Sequence, residues 1–352
     1  MVNSVVKKER LAWMDALKLF AIFLVVFGHT VSNYCLDDGR YGFSNPVRLY
    51  IYAFHMPLFM TISGFFSASI LKDGGNILRR FKSLIVPCIT LFFIFALFHI
   101  VTGIGIQNLW YLKSLFICYA ITALSVRLFR KYSHLINRGG YKLLVISCLA
   151  ICMMTVPILL CRIPVIGMYK VDWMLPYFLL GIAVSRSRVI ICSRKFLCLW
   201  TFLFIAGMLI WQENYIWYLS QPAWFHIKDI IMTKQIVFDA DNFISCLIRM
   251  LVGAACSLFF ISLFSNLNEN RWFNKLFRHL GKWGMFTLHV YILQTFIVQM
   301  NIFGIYLPSS DMVLFNFIYS PLTALVVTAL CVALAMFMEK NVYINRYVFG
   351  KF

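Results

Sequence analysis

Ten stretches of this chain are apolar enough, and nearly all long enough, to approach the ~20 residues that a membrane-spanning helix needs. They run roughly over 12–34, 49–71, 84–105, 109–126, 143–162, 173–185, 197–219, 243–265, 283–303 and 314–338, the sixth short and the tenth long. With 62% apolar and only 13% charged residues, the composition excludes an ordinary soluble domain. The expected fold is all-α: a polytopic bundle of about ten transmembrane helices, with residues 1–352 forming one membrane domain.

A net charge of +19 invites a nucleic-acid reading, but its distribution argues against one. Most of the 32 basic residues fall in alternate loops: Lys7 to Arg10, Lys72 to Lys82, Arg127 to Lys142, Arg186 to Lys195, Arg271 to Lys282, and Lys340 to Lys351. The intervening loops carry few, among them Arg40, Arg48, Arg162, Lys170, Lys228 and Lys234. The positive-inside rule then places both termini in the cytoplasm, and the basicity sets topology. The first stretch resembles a leader, yet no small-residue cleavage site follows it and Asp15 is out of place in one, so it reads as a retained helix. Eleven cysteines without a C-x-x-C pair read as small apolar residues. Cys35 and Cys161 lie near outward helix ends, with nothing in the sequence to support their pairing.

Inside the first stretch lie Asp15, Lys18 and His29. An Asp or Lys in a span costs roughly 2.5–3.5 kcal/mol on insertion scales, so such groups rarely sit idle. Lys18 and His29 are eleven residues apart, which puts them on one helix face about 16 Å from each other. Asp15, at i−3, is placed to pair with Lys18. A histidine can take a proton from a hydroxyl at neutral pH, and His55 and His99 are expected at a similar depth in the next two stretches. The three carry no metal-ligand motif, so no metal site is assigned.

Other signals are less specific. Arg79, Arg80 and Lys82 precede Pro87 and serve topology, and the same run suits the phosphates of an anionic donor. Trp110-Tyr111 beside Lys113 fits an interfacial belt or a sugar-stacking platform. The outward stretch 220–242, with Trp224, His226 and several charges, suits either a solvated loop or a carbohydrate surface. His289 and Gln294 are further polar groups within the ninth stretch.

Taken together, Asp15-Ala16-Leu17-Lys18 with His29, Phe54-His55-Met56-Pro57, Ser63-Gly64-Phe65, the basic run before Pro87, Trp110-Tyr111-Leu112 and Leu280-Gly281 with Leu288-His289 resemble the acyltransferase-3 family. The closer likeness is to its fucose 4-O-acetylase-like sugar O-acetyltransferases. The resemblance implies a bacterial inner-membrane enzyme, multi-pass, moving an acyl group from acyl-CoA to a sugar or polysaccharide acceptor that is extracytoplasmic or lipid-linked. It implies acetyl-CoA as co-substrate, with succinyl or other donors open, and no bound cofactor. His29 matches the family's essential histidine. Lys18 stands where many members carry arginine, which keeps the cation and reduces bidentate recognition.

The expected partners are the acyl-CoA donor, the glycan acceptor and membrane lipids, with no nucleic acid. The expected site has His29 as general base or acyl relay and His55 as its orienting or charge-stabilising partner. Asp15, Lys18, Arg79, Arg80, Lys82 and Trp110 would bind donor or acceptor. The competing classes are a transporter or flippase using the same groups as a proton relay, and a structural subunit of a polysaccharide-assembly complex.

Overall fold

The computed structural model describes residues 11–35, 45–103, 109–132, 170–187, 192–216 and 240–352. Among them every regular element is helical, and the one sheet-like pairing is an isolated bridge from Cys35 to Leu307. The helices are α1 (Ala12–Asn33), α2 (Pro46–Phe66), α3 (Ile77–Thr102), α4 (Trp110–Tyr132) and α5 (Val171–Arg186). They continue as α6 (Arg194–Ile210), α7 (Ala240–Leu267), α8 (Arg271–Trp283), α9 (Thr287–Gln294) and α10 (Ser320–Met338). Among the described residues, six helical segments are long and apolar enough to cross a membrane, with α5 a shorter apolar helix. The expected count of about ten is not confirmed by these residues. The stretch 143–162 and most of 220–242 lie outside them.

Two expected spans take other forms. The seventh ends as a helix at Ile210 and gives way to a 3-10 turn at Glu213–Tyr215, where polar Gln212 and Glu213 interrupt the apolar run. The ninth is composite: a 3-10 turn (Gly284–Phe286), then α9, then a π turn at Thr295–Gln299. The basic loop expected between the eighth and ninth spans is instead α8, an amphipathic helix with Phe277 and Gly281 buried and Trp272 and Trp283 exposed, the form of an interfacial helix.

α1 sits at the centre. Two thirds of its apolar window (67%) is buried against protein, while α3 buries 22% and shows Ile89, Phe92, Phe93, Leu97 and Ile100 to the surroundings, as a lipid-facing helix does. Small residues permit the tight approaches. An added Cβ on Gly64 would lie 1.9 Å from the Phe178 carbonyl oxygen, and one on Gly181 would lie 1.9 Å from that of Thr61, so α2 and α5 cross backbone to backbone. A Cβ on Gly284 would reach 2.0 Å from the Asp15 carbonyl oxygen, which seats the 3-10 turn on the first turns of α1. α1 is thus held by α8 near Asp15 and by the π turn near His29, where Tyr34 donates its hydroxyl to the Ile297 carbonyl at 2.8 Å.

Candidate active site

The spacing 18, 22, 25 and 29 follows one face of α1. At its first position Lys18 Nζ lies 3.0 Å from Asp15 Oδ1 and 3.6 Å from the centre of the Phe66 ring. Asp15 is buried and Lys18 half-buried. Lys18 and Arg80 both line a cavity of about 160 Å³, with Ser63, Tyr119 and Thr287 among its other walls. A second cavity of about 130 Å³ is lined by Ile22 and Val25, the next two positions of the stripe, and by Tyr111 and Tyr291. The two share Phe59, Ser63, Leu84, Leu115 and Thr287, so they adjoin along α1 from Lys18 toward His29. One helical turn separates Val25 from His29.

Local chemistry aims Arg80. Asn76 caps α3 by accepting from the Arg79 amide at 2.9 Å, and its own amide donates to the Tyr119 hydroxyl at 3.1 Å. Arg80 then lies 5.0 Å over that tyrosine ring. Arg79 and Lys82 are exposed and do not line the cavity, because neighbouring positions on a helix point about 100° apart. Of the basic run, Arg80 alone joins Lys18 there.

At the other end His29 is half-buried and meets two glutamines. Its Nδ1 lies 3.0 Å from Gln294 Oε1, and Gln299 Nε2 lies 3.0 Å from Nδ1 and 3.1 Å from Nε2. Five residues apart on an α-helix, these glutamines would point about 140° away from each other. The π turn at Thr295–Gln299, with its i→i+5 bonding, turns both toward His29. Gln294 was visible in the sequence as a polar group in a span, whereas Gln299 was missed because 3.6-residue periodicity does not foresee a π turn.

His55 is buried and its Nδ1–H donates to the Ile51 carbonyl at 2.8 Å, so its direct bond is to its own helix. It lies near enough to His29 for their charges to interact. Tyr52 packs 4.7 Å from the His55 ring, and the Arg48 guanidinium lies 4.3 Å over the Tyr52 ring. The Tyr52 ring comes within 3.0 Å of where a Gly28 Cβ would stand, so the glycine before His29 makes room for it. Asn45 sets this geometry by capping α2: its side chain accepts from Val47 and Arg48 amides and donates to Asn316 at 2.6 Å.

Trp110 holds Lys170 4.0 Å over its ring, and both Arg48 and Lys170 act electrostatically on His29. Burial pushes the Lys170 amine down to about 8. Buried Arg249 stacks 4.5 Å over Trp173. These cations were read from sequence only as sparse outward charges or not at all. His99 is exposed on α3, unlike half-buried His29 and buried His55. His289 is buried at 2.9 Å from Glu339 Oε1, and Glu339 also pairs with Lys351, so this histidine fastens the C-terminal segment. Among the described residues no group of three or more His, Cys, Asp or Glu converges on a metal-sized site. A larger apolar groove of about 450 Å³ lies between α3 and α4 beside Lys113, on the lipid-facing side.

Spanning helices around a central helix that carries a cation toward one end and a hydrogen-bonded histidine toward the other define a multi-pass membrane protein with an intramembrane polar site. The chain belongs to the acyltransferase-3 family: the family's model, described as an acyltransferase domain, matches residues 11–336. No curated protein and no solved structure matches it significantly. The protein is a membrane acyltransferase.

Proposed function

We propose that this acyltransferase moves an acetyl group from cytoplasmic acetyl-CoA to a hydroxyl of a cell-surface or lipid-linked sugar, in a bacterial inner membrane and with both termini cytoplasmic. This puts it beside the fucose 4-O-acetylase-like enzymes. The observation that carries the reading is the Lys18–Arg80 cavity adjoining a second cavity that leads along α1 to the turn below His29.

Lys18 and Arg80 meet the donor's phosphates through charge-assisted hydrogen bonds, with Asp15 holding the Lys18 ammonium in place. The thioester arm lies along Ile22 and Val25. His29 takes the proton of the acceptor hydroxyl as its oxygen attacks the thioester carbonyl. A C–O bond forms, the C–S bond breaks, and the departing thiolate receives the proton. If His29 carries the acetyl group first, the same imidazole lone pair is the nucleophile. His55, Arg48 and Trp110 border the acceptor.

The test is mass spectrometry of intact glycans from cells making the wild-type chain or His29→Ala at matched expression. A mass difference of one acetyl group on a surface or lipid-linked sugar, seen only with wild type, is the expected result. An acetylation pattern common to both strains overturns the assignment, and ion-coupled flux without release of CoA would replace it with transport.

A further inference from the structure

The hydrogen bonds around His29 fix more than its position. Imidazole carries one proton when neutral, on Nδ1 or on Nε2, and the nitrogen without it holds the lone pair that does chemistry. Gln294 decides which. Its amide nitrogen is committed elsewhere: Nε2 donates to the Tyr291 carbonyl at 3.1 Å and to Thr295 Oγ1 at 3.3 Å. A carbonyl oxygen can only accept, so the amide cannot be turned around without setting two acceptors face to face. Thr295 Oγ1 in turn donates to the Tyr291 carbonyl at 3.0 Å, which ties both side chains to one point of α9. Gln294 is fully buried, where a polar side chain is held by its hydrogen-bond partners. Its Oε1 therefore faces His29 Nδ1 as an acceptor, and Nδ1 must carry the proton. With Nδ1 used as a donor, the Gln299 amide has only Nε2 to give a hydrogen bond to, at 3.1 Å.

We propose that Gln294 is a positioning residue that locks His29 in the Nδ1–H tautomer, and that Gln299 occupies the seat beside Nε2 which the acceptor hydroxyl takes during transfer. This rests on the reading of His29 as base or acyl carrier, and it names the nitrogen that serves in either role. A carboxylate in the place of Gln294 would also accept from Nδ1–H; the protein uses a neutral amide, which sets the tautomer without adding charge to the span. The π turn is then the backbone device that lets one helix supply both the lock and the seat.

The direct readout is ¹⁵N NMR of the detergent-solubilised full chain labelled at histidine, with His29→Gln used to assign the resonance among the seven histidines. Wild type is expected to show His29 protonated on Nδ1 and bare on Nε2; the reverse pattern overturns the proposal whatever the variants do. Gln294→Met keeps the size and removes the acceptor, and Gln294→Glu keeps an acceptor oxygen. Loss of a tautomer-setting partner costs a catalytic imidazole up to about 10⁴-fold in rate, so Gln294→Met should lower glycan acetylation at least about tenfold and blur the Nδ1–H signature. Gln294→Glu, protonated in this fully buried position, keeps a donor toward the Tyr291 carbonyl and an acceptor oxygen toward Nδ1, so it should keep the signature and the greater activity of the two. A purely packing role gives the opposite order, since methionine is tolerated in a buried apolar site and a carboxyl group is not. Retained acetylation in His29→Ala would remove the catalytic reading and leave the tautomer result standing. A dead His29→Ala beside a fully active Gln294→Met would remove the lock alone.

Discussion

The two ends of α1 are built on different principles. At Lys18 a half-buried ammonium, paired with Asp15 and resting on Phe66, borders a cavity of about 160 Å³ whose second cation comes from another helix. At His29 the ring is gripped by two amides from one π turn and crowded by the Tyr52 ring on Gly28. The first arrangement leaves an open cavity with two cations in its wall, which suits the flexible anionic donor of the proposed function. The second grips a single ring between two amides, the kind of positioning that proton or acyl transfer demands. In the proposed function, one helix separates donor binding from chemistry by about 16 Å of its length. Substitutions at the two ends should divide accordingly between donor KM and kcat.

The largest effect is expected at the histidine. His29→Ala should lower kcat by about 10²–10⁴-fold, the usual span for a lost acid–base group, with donor KM little changed. A rise in donor KM of comparable size would erase the division. Lys18→Gln should do the reverse, raising donor KM about tenfold, equivalent to about 1.4 kcal/mol, with kcat largely kept. Lys18→Arg should restore it, since the cation is preserved and a second donor is added. A kcat loss in Lys18→Gln that arginine cannot repair would mean that the Asp15–Lys18 pair supports α1 rather than the donor. Arg80→Gln and Arg79→Gln sharpen the point at smaller scale. The first should raise donor KM several-fold and the second should leave it near wild type, because only Arg80 lines the cavity. Equal effects would mean that the basic run acts through its summed charge.

Much of this was legible before the fold was known, and the parts that were not have definite causes. The Lys18–His29 stripe and the Asp15–Lys18 pair follow from α-helical geometry alone, and both stand at the positions that geometry gives. The basic run was visible, but which of its members faces inward depends on the phase of α3, fixed by the Asn76 cap and Tyr119, more than 40 residues away. The stretch that forms α8 reads as a loop when its lysines and arginines are weighed as topology signals. The spacing of Phe273, Phe277 and Leu280 already carried a helical face. Gln299 could not be paired with Gln294 on any α-helical wheel. His289 attracted notice as an intramembrane ionisable group, and its partner Glu339 was too far along the chain to be matched by spacing.

The smallest expected effect concerns Lys170, the cation that Trp110 holds near His29. Burial lowers its amine to about 8, below the usual lysine value near 10.5. Between those values the folded protein holds fewer protons than the unfolded chain, so folding stability should rise with pH from about 8 toward 10.5. The burial cost is fully present below about 8, where both states carry the ammonium, and is gone above 10.5, where neither does. Lys170→Met removes the cost, so it should raise the melting temperature of the solubilised protein at pH 7 and flatten that slope. Donor KM should not move, because Lys170 belongs to the histidine end. A melting curve whose pH dependence is the same in both proteins would show the Lys170 ammonium to be as well solvated as one at the surface, and the histidine end would then be more open to water than Trp110 and its neighbours make it.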